Sequence, residues 1–83
     1  MSGAMTIDAK TWITRFAAVL GTPPPSDDEV AALLDLAGAA AHASERTAAP
    51  ISCWLAARAG TAPADAARQA TELAEAIAAE AED

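Results

Sequence analysis

The sequence predicts an all-α chain, a compact four-helix domain with helices over about 8–20, 27–44, 50–59 and 62–80. Three observations lead there. Apolar side chains recur at three- and four-residue intervals in four segments, and none alternates as a strand would. Gly21, Pro23-Pro24-Pro25, Pro50, Gly60 and Pro63 punctuate those segments. Alanine, the best helix former, fills 26 of the 83 positions. A chain this short makes one domain, read as 6–83 after a disordered start or expression remnant over 1–5.

The first helix places Trp12, Ile13, Phe16, Val19 and Leu20 on one face, opposite Asp8, Lys10, Thr11, Thr14 and Arg15. Gly21 stops it, and the three prolines that follow make a stiff connector. The second helix opens on Ser26-Asp27-Asp28-Glu29, a capping box whose acids also suit the positive end of the helix dipole. Its expected buried face is Val30, Leu33, Leu34, Ala37 and Ala41. Continued through Ala41–Pro50, it sets Asp35, His42 and Arg46 on one polar flank, with a shallow gap at Gly38 and Ala39. Pro50 biases Ala49 away from helical angles, so a break is expected between Ser44 and Ala49. The third helix is short, with Ile51, Trp54 and Leu55 buried and Cys53 pointing elsewhere. Thr61 is the expected cap of the fourth, whose seam is Ala66, Ala70, Leu73 and Ile77.

Composition narrows the function. Hydrophobic residues are 53% of the chain, but only 17 are larger than alanine or cysteine, so the core is thin. Thin cores in chains of this size lean on oligomerisation, metals or disulfides, and one cysteine cannot form an internal disulfide. Self-association or a protein partner is therefore expected. A net charge of −7 with five scattered cations argues against nucleic acid and against anionic membranes. No apolar run spans a bilayer and no signal peptide is read, which with the single thiol points to the cytoplasm.

The candidate chemistry gathers around Ala41–Pro50. A metal site would have to be built from one histidine, one cysteine and carboxylates, and His42-x-x-Glu45 occurs once and in the reverse of the di-iron order. Cys53 with His42 could be a nucleophile–base pair, but no oxyanion-forming motif accompanies it. A carrier role lacks the serine setting that would hold a phosphopantetheine. No cofactor, metal or catalytic residue is assigned, and the chain is read as not an enzyme. His42 and Arg46 suit a helix C-terminus, with Glu45 pairing either, and the same cluster beside Trp54 would also anchor a partner. The candidate interaction motif is thus His42, Glu45, Arg46, Pro50 and Trp54.

The order LLDLAGAAAHASERTAAPISCWLAARAG resembles a small actinobacterial helical domain of unknown function. That domain is found alone or fused to nucleotidyltransferases resembling molybdenum-cofactor guanylyltransferase. The resemblance rests on Trp12, Leu20-Gly21, Asp35-Leu36-Ala37, Ala41-His42, Glu45-Arg46 and Ala49-Pro50, within the span from Trp12 to Gly60. It implies a link to molybdenum-cofactor biosynthesis and transfers no catalytic residue. The expected function is a non-catalytic interaction or accessory module. The alternative is a small-ligand binder or enzyme using the Asp35, His42, Glu45 and Arg46 flank, so a small ligand stays open.

Overall fold

The structure is a computed structural model and describes residues 7–82. The expected disordered start at 1–5 lies outside these residues. Four helices follow in order, α1 (Ala9–Leu20), α2 (Asp27–Ala43), α3 (Ala48–Arg58) and α4 (Pro63–Ala81), with no strand among the described residues. The all-α, four-helix reading is correct.

Local chemistry sets each boundary. Asp8 lies outside α1 and caps it, because its Oδ1 accepts the Thr11 N–H at 2.7 Å. Hydrogen bonding from the Thr11 side chain and backbone holds the Asp8 carboxyl below its ordinary value, and the nearby Lys10 charge adds to this. Gly21 at φ 74 closes the helix, its N–H donating to the Ala18 carbonyl while the Thr22 N–H donates to Ala17. The capping box of α2 forms as read. The Glu29 N–H donates to Ser26 Oγ at 3.1 Å, and the Ser26 N–H donates to Glu29 Oε1 at 2.8 Å. α3 ends on a second paired closure at Gly60 (φ 72), with Gly60 N–H to Ala57 and Thr61 N–H to Ala56.

Two boundaries differ from expectation. α3 begins at Ala48, two residues before Pro50, so Ala49 is helical. Pro50 is the third residue of the helix, where its missing N–H falls among those a helix start leaves unpaired. At α4 the cap position is Ala62 and not Thr61, and no side chain bonds there. Pro63 at the first turn supplies a preset φ and removes one orphan donor instead.

α2 is the central helix. It packs along α4 and α3, which meet each other only briefly, while α1 packs along none of them. The inward faces are built from small side chains. Among the described residues only Ala17, Leu36 and Ala66 are buried, and Leu36, at 4% exposed, is the one large side chain of the three. Here the expected faces need correction. Leu34 is 67% exposed, and Ile51, Trp54, Leu55, Leu73 and Ile77 also face outward. On α3 the inward side chains are Ser52, Cys53 and Ala56, and on α4 they are Ala66, Ala67, Ala70 and Ala74. Close helix approach selects the small face of each helix, because a bulky side chain there would hold the axes apart.

α1 is likewise turned from its expected phase. Ile13 and Ala17 face inward, while Trp12, Phe16, Val19 and Leu20 are exposed. Ala9, Lys10, Ile13 and Thr14 border a small cleft against Pro24, Pro25, Asp27 and Val30. Lys10 Nζ lies 3.6 Å from Asp27 Oδ1, an exposed pair that contributes little.

Truncating Leu36 to alanine removes the one large buried side chain and is expected to cost about 2–5 kcal/mol. Ser26→Ala, which loses one cap bond, is expected to cost about 1 kcal/mol. Urea unfolding followed by circular dichroism measures both, and a Leu36→Ala cost no larger than that of Ser26→Ala contradicts this placement of the core.

Candidate functional site

An open groove of about 930 Å³ lies between α2 and α4. Its α2 wall is Leu34, Asp35, Gly38, Ala39, His42 and Ala43. Its α4 wall runs through Ala67, Thr71, Ala74 and Ala78, with Arg68, Glu72 and Glu75 alongside. Those four small residues have the same 4, 3, 4 spacing as the expected seam Ala66, Ala70, Leu73 and Ile77, displaced by one position. One position is a 100° turn of the helix, and the inward side chains are drawn from both frames, Ala66 and Ala70 from one and Ala67 and Ala74 from the other. The gap expected at Gly38 and Ala39 is present, and a Cβ built on Gly38 would meet nothing within 4 Å.

The groove is a small-residue trough with an acidic border. Asp35 stands on one wall and Glu72 and Glu75 on the other, against a single cation, Arg68. Arg68 is already engaged, its Nη1 3.0 Å from Asp65 Oδ1 and its Nε 3.9 Å from Glu72 Oε2. Among the described residues Asp35 and Glu75 have no ion-pair partner.

The five residues singled out in the sequence do not converge. His42 lines the groove, and its Nδ1–H donates to the Gly38 carbonyl of its own helix at 2.8 Å. A carbonyl only accepts, so Nδ1 carries the proton. Glu45 and Arg46 leave α2 altogether, because the helix stops at Ala43. Ser44 caps it, with both its backbone N–H and its hydroxyl donating to the Ala40 carbonyl. The flank of Asp35, His42 and Arg46 read by extending the helix is therefore not formed, and the helical pairing of His42 with Glu45 is lost with it. Glu45 and Arg46 sit exposed in a turn closed by N–H donation from Ala48 and Ala49 to their carbonyls. Pro50 is exposed in the first turn of α3. Trp54 is exposed on the outer face of α3, with the Arg58 guanidinium 4.5 Å from its ring centroid.

Cys53 is half-buried, its Sγ 3.9 Å from the Leu33 carbonyl, a weak contact. Leu33 lies nine residues before His42, about 13 Å of helix rise, so the thiol and the imidazole do not form a pair. No group of three or more His, Cys, Asp or Glu side chains is placed to hold a metal ion among the described residues.

A second surface is the outer face of α1. Ile7, Trp12, Phe16 and Val19 border it together with Arg15. The Trp12 and Phe16 rings stack at 5.8 Å between centroids and 18° between planes, so they present one apolar plate. Sequence reading found these side chains but assigned them inward.

The sequence profile described as a domain of unknown function (DUF6457) matches residues 6–83. The chain belongs to this family. The match takes in α4, which lies beyond the resemblance seen in the sequence, so groove and fourth helix both fall within the family domain. No curated protein and no solved structure matches the chain. No described helix is long and apolar enough to cross a membrane.

Because His42 bonds only to its own helix and Arg46 lies in an exposed turn, the double change His42→Ala and Arg46→Ala is expected to leave the fold intact. Its helical circular dichroism should match wild type, with stability within about 0.5 kcal/mol. A loss of several kcal/mol would show instead that the charged turn holds α2 and α3 together.

Proposed function

We propose that this chain is a non-catalytic helical association module, working through contact with protein rather than turnover of a substrate. The observation that carries this reading is the pairing of an almost empty interior with a stacked aromatic plate in water. Two alanines and one leucine are buried among the described residues, while Trp12 and Phe16 stand 57% and 48% exposed on a helix that the other helices do not cover. Large contiguous apolar faces on a soluble chain mark interaction sites.

The resemblance seen in the sequence names the first partner class to try, a nucleotidyltransferase resembling molybdenum-cofactor guanylyltransferase. The alternative of a ligand site on Asp35, His42, Glu45 and Arg46 draws less support, since Glu45 and Arg46 are outside the groove that Asp35 and His42 border.

Sedimentation of the purified chain across a dilution series, with affinity capture by tagged wild type and by a Trp12→Ala, Phe16→Ala variant, tests the reading. Wild type is expected to self-associate or retain a specific protein, and the variant to lose that behaviour while staying helical. A chain that sediments at its 8.3 kDa monomer mass throughout and retains nothing would sink the proposal.

A further inference from the structure

Resting on the association reading, we propose that the occupant of the α1 plate is a second copy of this chain: α1 of each copy seats its outer face in the α2/α4 groove of the other. The argument starts with charge. α1 carries Lys10 and Arg15 and no acid within its twelve residues. Lys10 is paired with Asp27 on the side of α1 that faces its own chain, which leaves Arg15 as the cation beside the aromatic plate. The groove presents the converse, with Asp35 and Glu75 unpaired on opposite walls and Glu72 beside them. An apolar plate edged by a cation and a small-residue trough edged by acids are complementary in shape and in sign.

The other apolar surfaces fit worse. Pairing α1 with α1 of a second copy would bring two Arg15 side chains together on a face that holds no carboxylate. The outer face of α3 offers Ile51, Trp54 and Leu55, but its charge is Arg58, again the wrong sign. The groove is open to aromatic rings, since Gly38, Ala39, Ala67, Ala74 and Ala78 hold no bulk above the helix surface.

Contact within one chain is blocked by the connector. The left-handed closure at Gly21 and the three prolines set the inner side of α1 against Pro25 and Val30, so the plate faces away from its own groove. A plate and a matching groove on the same chain, unable to meet within it, satisfy a two-fold dimer, where each patch meets its counterpart twice.

The test uses charge reversal. Arg15→Glu alone and Glu75→Arg alone should each weaken the dimer by about tenfold or more in light scattering or sedimentation. Mixing the two variants in equal amounts should restore dimer, because one contact then has the native pair and the other the reversed pair. The Trp12→Ala, Phe16→Ala variant should be monomeric at concentrations where wild type is dimeric, with the helical signal retained as the folding control. Failure of the mixture to recover, or a dimer indifferent to all these changes, overturns the α1–groove contact and leaves association through another surface. A wild-type monomer overturns it as well, and affinity capture then decides whether the broader association reading survives.

Discussion

Alanine sets the terms of this fold. A helix with a stripe of small side chains approaches its neighbour closely, and the contact zones of α2 and α4 are such stripes, from Ala37–Ala41 on one side to Ala66, Ala67, Ala70 and Ala74 on the other. Close approach leaves little space between the axes, so a leucine or tryptophan in the seam would force the helices apart. The larger side chains are therefore displaced to the outer faces, and Leu36 is the single large one that the three-helix junction accommodates. Burial stabilises at roughly 25 cal/mol per Å² of apolar area, and alanine has little area to bury. The chain gains helix propensity and tight packing, and gives up hydrophobic burial.

The position of α1 follows from the same shortage of interior. With α3 and α4 already flanking α2, α1 is left beside the head of α2, with Trp12, Phe16, Val19 and Leu20 on its free side. Its attachment is local instead. Two backbone bonds close it at Gly21 and Thr22, the proline run stiffens the path to Ser26, and the capping box starts α2 at once. Ile13 then borders a cleft with the connector and the head of α2, and the opposite face stays in water. The stiffness of the connector holds α1 in place where side-chain packing does not.

Much of the fold was legible because the signals that delimit helices are local and chemical. Gly21, Gly60, Ser26 with Glu29 and Pro63 act within one turn of themselves, so their meaning survives any tertiary context. Helix phase did not read as well. Periodicity assigns the inward face to the largest apolar side chains, and that rule mislaid Leu34, Trp54, Leu73 and the α1 plate. It treats alanine as filler, whereas here alanine is the contact. The 4, 3, 4 pattern on α4 occurs in two frames one residue apart, and nothing in the spacing itself says that the inward side chains would come from both. Arg46 was misplaced for a different reason. Its helical flank assumed that α2 continues, but a serine that bonds back to the preceding turn by both N–H and hydroxyl can end a helix three residues ahead of the next start signal.

The distribution of charge then separates the helices by role. Each copy carries a net charge of −7, and two such bodies repel unless opposite charges are brought together locally. α1 and α3 carry cations and no acid within the helix, while three carboxylates and one engaged guanidinium edge the groove. Glu45 and Arg46, by contrast, adjoin each other in a solvated turn where their opposite charges offset one another. The charged cluster most conspicuous in the sequence therefore marks a helix junction. The association we propose draws on residues that look ordinary one at a time, an arginine beside two stacked rings and a glycine in a groove edged by acids.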